Sequence, residues 1–162
     1  MKTVYLGLGS NLGDREAYLR KALEKLGAAG IRVMRRSAVY ETEPQDVRDQ
    51  PWFLNMAVEA ETTLFPLQLL ERIQNIERAL GRQRRTPKGP RTLDIDILFY
   101  GKTGIRSERL TVPHPALAQR RFVLEPLAEI APDLLHPGTG RTVRELADAI
   151  TGQQVRKSAI VL

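Results

Sequence analysis

Apolar residues fall at every second position across residues 3–9, where Val4, Leu6 and Leu8 alternate with Tyr5 and Gly7, and this period of two predicts a first strand. The period then lengthens to that of a helix. Ala17, Leu19, Ala22, Leu23 and Leu26 form one apolar stripe, with Asp14 placed to cap its start and residues 27–30, glycine at both ends, closing it. Residues 31–40 and 53–61 read as a second and a third strand that pair antiparallel, joined by a polar loop over 41–51 that holds Pro44 and Pro51. Pro66 opens a second helix that runs to Leu80, with Leu67, Leu70, Ile73, Ile76, Glu77 and Leu80 on its inner side and Gly81 as its stop. Residues 92–100 return to a strand pattern and 101–104 to a turn. Beyond them, proline-rich loops alternate with short helices near 125–130 and 143–150, and the closing Ala159-Ile160-Val161-Leu162 fits either an edge strand or a frayed tail.

The order β-α-β-β-α-β over residues 3–100 predicts an α+β fold: a ferredoxin-like βαββαβ core with a mainly antiparallel sheet, helices packed on it and a C-terminal helical extension. A chain of 162 residues is expected to form one domain over its whole length. That fold hosts RNA binders, metal chaperones and nucleotidyl transferases, so function has to be read from the side chains.

Composition narrows the choice. No apolar stretch approaches the roughly 20 residues of a membrane helix, and the N-terminal residues lack the pattern of a signal peptide, so a cytoplasmic protein with no membrane partner is expected. Zero cysteines exclude disulfides and thiolate metal sites, leaving carboxylates and two histidines as ligands, a set suited to hard cations such as Mg²⁺. The net charge of +6 favours an anionic partner, and its concentration in 82–91 and 106–121 favours a small phosphorylated ligand over a nucleic acid.

The chemistry centres on residues 89–98, Gly-Pro-Arg-Thr-Leu-Asp-Ile-Asp-Ile-Leu. Asp94 and Asp96 share one strand face, about 6.6 Å apart along the chain, with Leu93, Ile95, Ile97 and Phe99 expected on the other. Carboxylates set among Leu and Ile are costly unless they meet a cation; metal ions are favoured, with an ion-pair network to nearby arginines as the alternative. Arg82, Arg84, Arg85, Lys88 and Arg91 crowd the preceding loop, where they would neutralise phosphoryl oxygens and act as a mobile lid. The run Gly7-Leu8-Gly9-Ser10-Asn11-Leu12-Gly13 is a weak phosphate-loop candidate and reads better as a tight strand-to-helix turn. His114 is held between prolines, and Phe53 with Asn55, on one strand face, suits a flat heterocycle, as does Phe122 after Arg120-Arg121. An RNA-binding domain fits less well, because the strand aspartates would repel phosphate and the aromatic RNP1 pattern is absent. A two-metal nucleotidyl transferase, which would release pyrophosphate, stays open.

Several stretches together resemble the 6-hydroxymethyl-7,8-dihydropterin pyrophosphokinase family of folate biosynthesis over nearly the whole chain. They are Gly9-Ser10-Asn11-Leu12-Gly13, Tyr40-Glu41-Thr42, Phe53-Leu54-Asn55, Ile76-Glu77, Gly81-Arg82, the Gly89-to-Ile97 run, Leu110-Thr111-Val112-Pro113-His114-Pro115 and Arg121-Phe122-Val123-Leu124. The resemblance implies transfer of diphosphate from ATP to the pterin hydroxymethyl group, with release of AMP, by a monomer. It implies that Asp94 and Asp96 ligate two Mg²⁺ ions and that Arg82 and Arg91 contact the phosphates from a mobile loop. Gln74, Glu77, Arg109, Leu110, Thr111 and His114 would line the ATP site, Phe53 and Phe122 would sandwich the pterin, and Asn55 with the backbone near Thr42 would read its edge. The chain departs from many relatives at Pro87-Lys88, where they carry Arg-Trp, and at Ala116, where they carry an arginine.

Overall fold

The computed structural model describes residues 1–45, 47–82 and 90–162. In chain order its elements are β1 (Lys2–Ser10), α1 (Arg15–Ala28), β2 (Ile31–Arg36), β3 (Tyr40–Thr42), β4 (Phe53–Thr62), α2 (Pro66–Ala79) and β5 (Asp94–Tyr100). There follow the hairpin β6 (Ile105–Arg106) and β7 (Thr111–Val112), then α3 (Arg121–Ile130), the hairpin β8 (Leu135–His136) and β9 (Arg141–Thr142), α4 (Val143–Ala149) and β10 (Val155–Lys157). The main sheet runs β10-β3-β4-β1-β5, with β2 paired to the far end of β4, and every pairing in it is antiparallel.

Alternation along the central strands builds two cores. Val4, Leu6 and Leu8 of β1 and Leu54, Met56 and Val58 of β4 meet Leu19, Ala22 and Leu26 of α1 and Leu69, Ile73 and Ile76 of α2. On the opposite face Ala57, Leu98 and Phe99 pack against Leu124 and Leu127 of α3 and Leu146 of α4. The βαββαβ order and the C-terminal helices match the sequence expectation. Asp14 also caps α1 as expected, accepting the Ala17 N–H at 3.1 Å. Among the described residues, no helix is long and apolar enough to cross a membrane.

Five local expectations need correction. The strand anticipated over 31–40 splits at Ser37, whose hydroxyl takes the Ala57 N–H at 2.9 Å while its own N–H donates to the Ala57 carbonyl at 2.9 Å. The neighbouring Ala38 N–H is diverted to the Glu129 carboxylate of α3, at 3.0 and 3.2 Å. In α2, Leu69 turns inward and Leu67 stays 43% exposed. Phe99 does not continue the Ile95 and Ile97 face: the β1–β5 register steps from Tyr5↔Phe99 to Leu6↔Ile97, so Leu98 bulges and Phe99 flips to meet Tyr5 edge-on, 6.1 Å between ring centres. The strand-to-helix turn read over 7–13 is confined to residues 11–14, because Gly7 and Gly9 lie inside β1 as the alternation over 3–9 predicts and Ser10 extends the strand. Finally, the C-terminal strand is β10 against β3, while Ile160 and Leu162 pack on the α1–α2 core and are neither strand nor frayed.

Ser37→Ala should leave the buried Ala57 N–H without its acceptor and lower stability by about 1–3 kcal/mol. Urea unfolding checks this; an unchanged midpoint would show that the strand break does not depend on the hydroxyl.

Candidate active site

Three neighbouring strands place three residues in a row. Gly9 of β1 sits opposite Asn55 of β4 on one side and opposite Asp94 of β5 on the other. A Cβ at Gly9 would stand 2.4 Å from Asn55 Oδ1, so this position requires glycine for the close approach of that amide. Of the glycines that suggested a phosphate loop, Gly9 therefore makes room for a side chain. Only Gly13, with φ of 74°, serves the turn into α1.

Asn55 is buried, and its Nδ2 donates to Thr42 Oγ1 at 2.6 Å, which orients the amide. Phe53 lies one pleat earlier, with the Arg91 guanidinium 5.2 Å from its ring centre. Phe122 projects from the first turn of α3 beneath the Arg120 guanidinium, 5.6 Å from its ring centre. One pocket is lined by Thr42, Phe53, Asn55, Phe122, Arg91 and Asp94, and five further residues complete it: Glu43, Pro44, Gln45, Gln50 and Arg120. Sequence reasoning gave those five no role. The usable signal was position, since the loop over 43–50 joins two strands that already carried candidates and Arg120 precedes Phe122 by two.

Asp94 accepts hydrogen bonds from Arg82 and from Arg91 Nη1, the latter at 3.1 Å. Arg82 also reaches Glu77 Oε2 at 2.9 Å and the Leu93 carbonyl at 3.3 Å. Burial works against the Arg82 charge, but Asp94 and Glu77 more than offset it and raise its pKa. The buried Glu77 carboxylate additionally takes the Ile95 N–H at 2.9 Å, so it fastens the end of α2 to the start of β5. Asp96 differs from Asp94. Burial first, then the Asp94 charge, push its carboxyl up to about 7, while Arg120 pulls it down. His114 Nε2 stands 4.0 Å from Asp96 Oδ1. Its Nδ1 accepts the Ala116 N–H at 3.2 Å, which places the ring proton of the neutral form on Nε2. Burial, followed by Arg120, lowers the His114 pKa.

A divalent ion fits these residues. The donors are carboxylate oxygens only, and Asp96 carries a charge that its surroundings resist, which a cation would relieve. Among the described residues no third carboxylate, histidine or cysteine completes a cage, as suits Mg²⁺, which takes one or two protein carboxylates and fills the rest with water and substrate oxygens.

Of the remaining candidates, Gln74, Glu77 and Arg82 line a second cleft together with Arg78. Arg109, Leu110 and Thr111 sit on the β6–β7 hairpin beside β5, outside the lining of both clefts. Arg84, Arg85, Pro87 and Lys88, and with them the expected lid, lie outside the described residues. Asn11 joins the parts: its backbone N–H donates to the Arg91 carbonyl at 3.1 Å, its Oδ1 accepts the Arg91 N–H at 2.9 Å, and its Nδ2 donates to Gln50 Oε1 and the Pro51 carbonyl, both at 2.9 Å.

Comparison with known proteins gives first the class, that of the ATP-dependent pyrophosphokinases, which are transferases. Residues 5–132 match the model of the 7,8-dihydro-6-hydroxymethylpterin-pyrophosphokinase family, and the chain belongs to that family. It is 53% identical over 146 residues to the 2-amino-4-hydroxy-6-hydroxymethyldihydropteridine pyrophosphokinase of Methylorubrum extorquens, covering 90% of this chain and 91% of that one. It is 53% identical over 127 residues to the protein of the same name from Bacillus subtilis, covering 78% and 76%. With the Folic acid synthesis protein fol1 of Pneumocystis carinii it shares 43% over 155 residues, 96% of this chain but 21% of that protein, so it spans about a fifth of its length. The fold matches a crystal structure of Plasmodium falciparum HPPK-DHPS, with a TM-score of 0.69 at 18% identity over 91% of this chain and 43% of that one.

Glu77→Ala should cost about 1–3 kcal/mol, because it strips the Ile95 N–H and Arg82 of a buried acceptor. Glu77→Gln, which keeps an oxygen for Ile95, should lose less. Equal midpoints for both variants and the parent in denaturant unfolding would contradict the role of this carboxylate.

Proposed function

We propose that this chain transfers the β,γ-diphosphoryl unit of ATP to the hydroxymethyl oxygen of 6-hydroxymethyl-7,8-dihydropterin, releasing AMP, as a step of folate synthesis. It does so as a single cytoplasmic domain over residues 1–162, acting as a monomer. The observation that carries the reading is the pocket in which Phe53, Phe122 and the Asn55–Thr42 pair adjoin Asp94 and Arg91. Family membership and the names of the bacterial relatives support the reaction.

The pterin binds in that pocket. Phe53 and Phe122 take the faces of the ring, and Asn55, with one Nδ2 hydrogen on Thr42, offers its Oδ1 to the ring edge. Arg82 and Arg91, held at the Asp94 carboxylate, stand where phosphoryl oxygens gather charge as the β-phosphorus is attacked. Gln74, Glu77, Arg109, Leu110, Thr111 and His114 form the nucleotide side, where the His114 Nε2–H serves as a neutral donor. Asp94 and Asp96 would hold two Mg²⁺ ions, whose positive charge would offset that of the phosphates. Phe53, Asn55 and the arginines hold the alcohol oxygen in line with the leaving AMP oxygen, the proton passes to solvent, and no covalent nucleophile is needed.

Incubation with ATP, the pterin and Mg²⁺ should give AMP and the pterin diphosphate on chromatography, with EDTA stopping the reaction and added Mg²⁺ restoring it. Release of ADP or pyrophosphate would sink the reading, the latter in favour of nucleotidyl transfer. Asp94→Ala and Asp96→Ala should each lower kcat by roughly 10²–10³-fold. Phe53→Ala should weaken pterin binding about tenfold or more, a loss of one stacking face, seen by titration.

A further inference from the structure

The pocket has two walls, and the chain segment that joins them lies beyond the residues of the family match, which end at 132. One wall is the β3 end and the loop after it, with Thr42 and Glu43; the other is the entry to α3, with Arg120 and Phe122. Gln153 holds the second wall by three bonds. Its Oε1 accepts the Arg121 N–H at 2.9 Å, its Nε2 donates to the Gln119 carbonyl at 2.9 Å, and its own carbonyl accepts Arg121 Nη1 at 3.0 Å. The next residue grips the first wall. The Gln154 N–H donates to Glu43 Oε1 at 3.0 Å, and its carbonyl accepts the Glu43 N–H at 3.1 Å. β10 then extends the grip, with Val155 opposite Thr42 and the Arg156 guanidinium both 3.3 Å from Glu41 Oε2 and 5.0 Å from the Trp52 ring centre.

The bond to the Arg121 N–H has a local reason. The first N–H groups of a helix have no partner within it, and Arg120, the capping residue just before α3, supplies no side-chain cap. Gln153 provides that acceptor from another part of the chain. Phe122 follows Arg121 directly, so the direction of its ring depends on a residue that is itself chained to the Thr42 wall through Gln154.

We propose that Gln153 is a positioning residue for the pterin: it touches no substrate and sets the gap between the Phe122 wall and the Thr42 wall. This inference rests on the pterin reading of the pocket. A nucleotide held at Gln74 and Glu77 does not depend on that gap.

The test is a fluorescence titration of 6-hydroxymethylpterin, and separately of a non-hydrolysable ATP analogue with Mg²⁺, against the parent chain, Gln153→Ala, Gln153→Glu and Phe53→Ala. Gln153→Ala should weaken pterin binding about tenfold, raising its KM while kcat stays within about twofold, and leave the ATP analogue within about twofold. Gln153→Glu, which keeps the acceptor for Arg121 and loses only the donor to Gln119, should show a smaller loss. Parent-like pterin affinity in Gln153→Ala, or an equal loss for both ligands, overturns the inference. If the parent binds the ATP analogue and no pterin, the pocket reading itself fails and the inference with it. Pterin binding that is lost in Phe53→Ala but kept in Gln153→Ala overturns the inference alone.

Discussion

Arg82 is shared between two carboxylates, Glu77 and Asp94, and the head of the site depends on that sharing. Bringing charges out of water costs several kcal/mol each, and only close, well-directed partners offset it. Here Glu77 accepts from both Arg82 and the Ile95 backbone, and Asp94 accepts from both Arg82 and Arg91. One network therefore joins the end of α2, the start of β5 and the residues on either side of 83–89. A connected set of this kind holds its members in one arrangement, because moving any of them strands another in a region of low dielectric.

The sheet supplies the second constraint, which is spacing. Asn55, Gly9 and Asp94 stand abreast on adjacent strands, so Asn55 and Asp94 are two strand spacings apart, about 10 Å. The missing side chain at Gly9 keeps the floor between them open, and the contact that a Cβ would make with Asn55 Oδ1 shows how little room remains. The Asn55 amide, proposed to read a ring edge, and the Asp94 carboxylate, proposed to gather cations, are thus separated by the hydrogen-bonded ladder. Distances set by a ladder survive loop motion, which suits a reaction whose two partners must meet in line.

Much of this was legible in the sequence. The period of two in β1 and β4, the helical stripe of α1, the Asp14 cap and the Asp94-x-Asp96 spacing each report a residue's own local geometry, and each was read from neighbours a few positions away. What escaped depends on remote partners. The bulge at Leu98 comes from register with β1, the break at Ser37 comes from Ala57 and from Glu129 of α3, and β10 forms because β3 offers an open edge. Leu67 and Leu69 look alike in a hydrophobic pattern, and only the seating of α2 on the sheet decides which turns inward. The pocket residues Gln45, Gln50 and Arg120 were missed for the same reason, since loop residues gain a role from what folds against them and carry no periodic signal.

The two aspartates, equivalent by residue type and spacing, are unequal in the folded chain. Asp94 stands at the focus of two arginines, so its charge is balanced by the protein. Asp96 faces a neutral imidazole at 4.0 Å and the repulsion of Asp94, which Arg120 offsets only in part, and its carboxyl resists ionising. A pair that only stabilised the fold would be expected to have both members compensated, because an uncompensated carboxylate weakens the structure. The asymmetry instead leaves beside a polar pocket a carboxyl that the protein alone does not hold ionised, and a cation bound there would favour its charged form.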